Sequence, residues 1–239
     1  MDADSRSLLI TELTWAEVRE HLERDKRLII PVGTCDQYGP HLPIGASTLV
    51  ADAFARQLAN DFDVLRAPAI PYGVNVTAER GYPGTATVRE KTLHAYLNDL
   101  LASWEDSGFS EFILLTVHDF DSHVEAIATV TGTNARVRVI EVLNMDLSEI
   151  LTGGHGQDHG GEALTSLMLF LYPDQVRMDR AVDYIPGNRP VSTQRRILRI
   201  PADSPGSLGR PTVSTPETGE RLFLHICERI RTRVFTAAE

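Results

Sequence analysis

Apolar positions along this chain alternate between short unbroken runs and helical stripes. Leu28-Ile29-Ile30-Pro31-Val32 and Phe112-Ile113-Leu114-Leu115-Thr116-Val117 have almost no polar break, the pattern of strands buried on both faces. Phe62 to Ala67 and Arg136 to Val142 read as two further strands. Between these runs the spacing becomes helical, over Leu49 to Ala59, Leu93 to Trp104 and Val124 to Val130, with Gly108 placed to stop the second helix. Ahead of the first strand, Thr14-Trp15-Ala16-Glu17 is a capping-box pattern, and Trp15, Val18 and Leu22 recur at helical spacing up to about Asp25. The order β-α-β-α-β-α-β predicts an α/β fold, a three-layer α/β/α domain with a central, mostly parallel sheet. Further on, Ala163 to Leu171 predicts an apolar helix, Pro186 to Pro190 a turn, Ile197 to Ile200 an edge strand, and Thr218 to Phe235 a closing helix. No internal repeat, low-complexity tract or linker interrupts the pattern, so residues 1–239 are expected to form a single domain.

The polar chemistry collects in loops at the ends of these runs. The segment from Val32 to Thr48 joins a strand to a helix that Ser47 or Thr48 can cap, and it carries Asp36, Tyr38 and His41. The second apolar run delivers His118-Asp119-Phe120-Asp121-Ser122-His123. A Gly-rich loop from Gly153 to Glu162 carries His155 and His159 just ahead of a helix. In a parallel sheet, loops at the carboxyl ends of strands are where sites form. A long loop from Pro68 to Thr85 is expected to cover that region.

These loops resemble the creatininase (creatinine amidohydrolase) family. The family's first loop reads approximately P-V-G-S-T-E-Q-H-G-P-H-L-P-L-G-T-D, matched here by Pro31, Val32, Gly33, Gln37, Gly39, Pro40, His41, Leu42, Pro43 and Gly45. Tyr72, Gly73, Pro83, Gly84 and Thr85 match a second segment, and His118 is the one residue kept from a third, N-G-H-G-G-N. His159, Gly161, Glu162, Thr165 and Ser166 match a fourth, and Ser204 to Pro211 a fifth. The matches run in order from about residue 28 to 223. The resemblance implies the family's α/β fold, zinc or manganese ions, hydrolysis of a cyclic amide or related C–N bond, and a homo-oligomer, commonly a hexamer.

The departures fall on the metal chemistry. The family's metal-binding Glu is Asp36 here, its metal-binding His is Tyr38 and its metal-bridging Asp is Ser47. Its Glu-His pair becomes Ala78-Glu79, and a second Glu becomes Leu164. A two-metal hydrolase needs converging ligands and a bridging carboxylate to activate a shared water. Asp36 is shorter than Glu by about 1.5 Å, whereas ligand distances tolerate about 0.2 Å. Asp36, His118 and Glu162 are the candidates to hold one zinc or manganese ion; otherwise no cofactor is expected.

Composition narrows the partners. A formal charge of −10 argues against a nucleic-acid surface and fits a small-molecule substrate. No apolar run is long enough to span a bilayer, and the acidic start lacks a secretory signal, so a cytoplasmic protein is expected. Two cysteines, Cys35 and Cys227, cannot make a disulfide framework. Alternation from Asp36 points Cys35 away from the site.

The sequence therefore predicts an enzyme on a small, polar, nitrogen-containing or cyclic substrate. Its chemistry would be acid-base (ring opening or closing, elimination or isomerisation) without two metals. His159 would be the general acid or base, Tyr38 a donor to a developing oxyanion, and Asp36, His118 and Glu162 their catalytic companions. His41, Ser47, Glu79 and Asp121 are candidates to bind substrate. Plainer readings stand beside these: His118 as a strand-end histidine bonded to backbone, His41 as structural, Glu79 as a solvated carboxylate, Asp121 as an acid at a helix start. Two other functions compete: a one-metal C–N hydrolase, and a non-catalytic binding or scaffold protein.

Overall fold

The computed structural model describes residues 7–75, 81–152, 159–185 and 204–235. The two unbroken apolar runs form the centre of the sheet. They are β1 (Arg27–Pro31) and β3 (Glu111–Thr116), paired in parallel from Arg27↔Glu111 to Pro31↔Leu115. β2 (Leu65–Arg66) and β4 (Arg136–Glu141) flank them, also parallel, giving the order β2-β1-β3-β4.

Alternation along the strands feeds two cores. Ile29, Ile113 and Leu115 face α2 (Ala46–Phe62), α5 (Glu162–Leu171) and α6 (Pro216–Ile230). Leu28, Ile30, Val32, Phe112 and Leu114 face α3 (Glu90–Asp106) and α4 (Asp121–Ala128). Helices on both faces make the three-layer α/β/α domain the sequence predicts.

α1 (Trp15–Leu22) starts at the expected capping box: Thr14 accepts from the Glu17 N–H, and Glu17 accepts from the Thr14 N–H at 2.8 Å. Trp15 does not join the core; it is 71% exposed, with the Arg19 guanidinium 4.5 Å from its ring centre. α2 begins earlier than expected, at Ala46, with Gly45 as its N-cap and no side-chain cap. The hydroxyls of Ser47 and Thr48 are taken instead by Thr34. The closing helix starts at Pro216, capped by Thr215, and a π-helical turn follows from Arg231 to Phe235. β2 is shorter than the expected Phe62 to Ala67, because α2 runs on to Phe62 and Asp63 turns the chain in a left-handed conformation. The expected turn at 186–190 and edge strand at 197–200 lie outside the described residues.

Candidate active site

Strand order reverses between β1 and β3, and the loops leaving their carboxyl ends meet there. The loop after β1 carries Thr34, Asp36, Gln37 and Tyr38; the one after β3 carries His118; the turn before α5 carries His159. All of these side chains are buried.

Tyr38 is the centre. Its ring stacks on His159, with centroids 4.7 Å apart and planes 22° from parallel. Its hydroxyl lies 2.9 Å from Thr34 Oγ1 and 3.5 Å from His118 Nδ1. Thr34 Oγ1 in turn lies 2.8 Å from Ser47 Oγ. Ser47, Thr34, Tyr38 and His118 thus form one continuous chain of polar atoms. Gly160 lets the third loop close on this group. It has φ +63°, and a Cβ there would sit 2.3 Å from the Tyr38 carbonyl oxygen.

His159 Nε2 faces the Gln37 carbonyl at 2.5 Å and the Gln37 amide nitrogen at 3.0 Å. The shorter contact requires a proton, so Nε2 donates to the carbonyl. The Gln37 side chain is itself fixed: its amide donates to the Gly206 carbonyl at 2.8 Å, and its oxygen accepts the Gly39 N–H at 2.9 Å. Asp36 Oδ1 accepts the Gln37 N–H at 2.8 Å.

Burial disfavours the charged form of these imidazoles. It holds the His118 pKa well below the usual histidine value, with the neighbouring His123 and His159 pushing the same way. Burial also lowers His159, opposed by the charge of Asp36, the Gln37 carbonyl and Asp119. His123 packs edge-on against His118 at 5.2 Å and is lowered to about 4 by burial. It accepts the Val74 N–H at 3.2 Å and meets Thr116 Oγ1 at 3.1 Å.

The structure therefore brings Tyr38, His118 and His159 into contact, with Asp36 near enough to favour a charge on His159 and Ser47 at the end of the hydroxyl chain. The other candidates are engaged elsewhere. Glu162, at the start of α5, accepts from the Thr152 N–H and hydroxyl at 3.0 Å. His41 Nε2 meets Thr165 Oγ1 at 2.9 Å, and the Arg177 N–H donates to the His41 carbonyl, so His41 ties the first loop to α5 and to Arg177. Asp121 is exposed in the first turn of α4. Glu79 and His155 lie outside the described residues.

Among the described residues, no group of three or more His, Cys, Asp or Glu side chains is placed to hold a metal ion. Asp36, His118 and Glu162 do not form such a group, and the Ser47 and Tyr38 hydroxyls are bonded to Thr34. The described donors do not fit a two-metal centre. Beside Gln37 lies a groove of 260 Å³, walled by Pro40, Ile44, Tyr82, Pro83 and Pro205. The long loop thus reaches the rim of the site through Tyr82 and Pro83 of the same chain.

Thr34 and Gln37 hold the centre together, yet their spacing carried no chemical signal. Gln37 stood out only as a match to the family loop, and Thr34 did not stand out at all. His123 read as part of a helix start; its burial behind His118 depends on how α4 docks.

A parallel α/β sheet with a buried polar centre at its switch point is the architecture of an enzyme. The chain belongs to the creatininase family: the family model for creatinine amidohydrolase matches residues 11–234. It is 26% identical to the creatinine amidohydrolase of Pseudomonas putida, over 93% of this chain and 94% of that protein. It is 29% identical to a mycofactocin precursor peptide peptidase of Mycolicibacterium smegmatis, over 87% of this chain and 83% of the relative. A crystal structure of a creatininase superposes with a TM-score of 0.80 at 26% identity, covering 95% of this chain and 98% of the other. Solved relatives include a manganese creatininase and a zinc–zinc form. The chain is an enzyme of this hydrolytic family. Among the described residues, no helix is long and apolar enough to cross a membrane.

Proposed function

We infer that this protein carries out acid-base chemistry on a small, polar, nitrogen-containing or cyclic substrate, using Tyr38, His118 and His159 in place of a two-metal centre. The observation that carries this reading is the contact of Tyr38 with both histidines: stacked on one and hydrogen-bonded to the other. His159, whose charged form burial disfavours and Asp36 favours, is the group suited to take and return a proton, while burial makes His118 a weak base suited to hydrogen-bonding beside it. Asp36 favours the transient charge on His159. Ring opening, ring closing, elimination and isomerisation each need such proton traffic beside a C–N or adjacent bond. Creatinine is not the expected substrate. The relatives that act on a precursor peptide and on 3-dehydro-scyllo-inosose show that family members differ in substrate. The chain is expected to work as a homo-oligomer.

The test is a panel of cyclic amides, imides, lactones and cyclic ketones, creatinine included, followed by NMR for consumption. With a substrate found, His159→Ala should lower turnover by about 10² to 10⁴ while circular dichroism stays unchanged. Near-normal turnover would overturn the acid-base assignment. If alanine changes at Tyr38, His118 and His159 weaken ligand binding and no turnover exists, the protein is a binding module. Turnover that appears only after adding zinc or manganese would favour the one-metal hydrolase.

A further inference from the structure

His123 lies behind His118 and moves no proton in the chemistry above, yet both of its ring hydrogen bonds lead to residues that hold His118. The Val74 N–H meets His123 Nδ1 at 3.2 Å. A backbone N–H can only donate, so Nδ1 accepts and the ring proton sits on Nε2. From there it reaches Thr116 Oγ1 at 3.1 Å. Thr116 Oγ1 accepts a second time, from the His118 N–H at 3.2 Å, and donates to the His118 carbonyl at 3.3 Å. One hydroxyl thus spans both ends of the His118 backbone as it leaves β3. The Val74 backbone also hydrogen-bonds the His118 ring. Its N–H is given to His123, so its carbonyl is the group that accepts from that ring. Gly73 permits the close approach: a Cβ there would fall 2.5 Å from the His123 ring and 2.7 Å from the Gly33 carbonyl oxygen. The same stretch is clipped to the loop after β1, because Asn75 Nδ2 donates to the Cys35 carbonyl at 3.0 Å.

We propose that His123 is a positioning residue: its ring couples Val74 to Thr116, and through these two it fixes the ring and backbone of His118 beside Tyr38. This rests on the reading of His118 as part of the active centre. The network joins the two places where His118 could drift. Thr116 holds the backbone at the end of the strand, and Val74 holds the ring from the long loop. His123 is the side chain that ties these two holders to each other. Its ring also packs edge-on against His118, with centroids 5.2 Å apart. A buried polar network of this kind is rigid while every member is satisfied. Cutting it on the Val74 side should free the His118 ring, and cutting it on the Thr116 side should spare the ring and loosen the strand end.

The experiment reads the His118 signals and not turnover. The full chain labelled with ¹⁵N-histidine is examined by long-range ¹H–¹⁵N correlation at about pH 7.5, where burial leaves His123 uncharged. His118→Gln and His123→Asn identify the two sets of signals. In the wild type, His123 should carry its proton on Nε2, and His118 should show one fixed tautomer. The two replacements of His123 cut the network at different places. An Asn amide puts its oxygen near where Nδ1 stands and keeps the Val74 bond; a Gln amide puts its nitrogen near where Nε2 stands and keeps the Thr116 bond. His123→Asn should leave the His118 ring signals in place and shift its backbone N–H. His123→Gln should release Val74 and draw the two ring-nitrogen signals of His118 together, as when both tautomers are populated. If His123→Gln fails to fold, Thr116→Val is read in its place: it should shift the His118 backbone N–H, and Thr116→Ser should restore it. A folded His123→Gln or Thr116→Val protein whose His118 signals match the wild type overturns the proposal. So does a wild-type His123 protonated on Nδ1, a result that depends on neither of those variants. Equal changes in the His118 ring from Asn and Gln also overturn it, because His123 then only fills space. If His118 responds as expected while no substrate in the panel is consumed, the functional reading fails and the positioning role stands.

Discussion

His41 and His123 are among the most buried polar side chains of this molecule, and each has a structural partner: Thr165 for one, Val74 and Thr116 for the other. Their burial makes stability depend on pH in a definite direction. Both pKa values are lowered from 6.5 to about 4 in the fold, His41 despite a smaller opposing effect of the Gly160 carbonyl. Below 6.5 the unfolded chain takes up protons that the folded chain refuses, so stability must fall as pH falls. The window runs from about pH 6.5, where the contribution is full, down to about 4, where the folded form also protonates. The loss should be on the order of a few kcal/mol in all, since each pKa unit is worth about 1.4 kcal/mol. Urea unfolding at about pH 7.5 and pH 4.5 measures it. The His41→Asn variant should show a shallower dependence than wild type. An unchanged pH dependence in that variant would show that His41 is not one of the groups responsible. The same residues show what a sequence conceals. His41 and His123 read as a loop histidine and a helix start, because burial of a single polar residue is set by tertiary docking and leaves no periodic mark.

At the scale of elements, the sheet was legible and the helix starts were less so. β1 and β3 stand out because both of their faces are covered, which forces unbroken apolar runs. The start of α2 did not, because Ser47 and Thr48 look like caps in sequence while their hydroxyls serve Thr34 in space. Tyr38, His118 and His159 were singled out from the loops that hold them, and the fold brings them into contact. The assignment of Glu162 came from its place in the same motif, and spacing along a loop could not show that Thr152 takes its carboxylate. The loops close on one another through Gly160, and that contact can be tested. Gly160→Ala places a methyl group 2.3 Å from the Tyr38 carbonyl oxygen at a left-handed backbone position. Strain at such a position costs roughly 1–3 kcal/mol before the clash is counted. The thermal midpoint should fall by several degrees, about 2–4 °C for each kcal/mol in a chain of this size. Turnover should fall further than the stability loss explains, since the stack of Tyr38 on His159 must shift. A midpoint within about 1 °C of wild type would mean that the loop yields freely and the closure is not tight.

For the whole molecule, the fold follows the family, while the loop resemblance implies a change in the metal chemistry. The chain follows a creatininase structure over 95% of its length, and where the loop resemblance implies the family's bridging Asp and metal-binding His it carries Ser47 and Tyr38. In the fold these two replacements are parts of one hydrogen-bonded chain through Thr34. Fewer than two tightly bound zinc or manganese ions per chain are therefore expected, by elemental analysis of protein purified without chelator. Two ions per chain would sink the acid-base reading and restore a two-metal hydrolase. Ser47→Asp puts back the missing carboxylate and offers a sharper test. A bridge needs both ions held on its far sides, and the phenol of Tyr38 is a poor neutral ligand for the second. The new, longer carboxylate would be buried against Thr34, whose N–H and hydroxyl can donate to it but whose carbonyl oxygen, 3.4 Å from Ser47 Oγ, faces it as well. A buried charge facing a carbonyl dipole destabilises, by roughly 1–3 kcal/mol for an unsatisfied group and more for an ion. Ser47→Asp should thus lower the thermal midpoint and leave the metal content below two per chain. The double change Ser47→Asp with Tyr38→His supplies both ligands, and metal uptake above the single variant is expected from it. If Ser47→Asp alone brought in two ions and raised the midpoint, Tyr38 would not be the barrier to a metal centre.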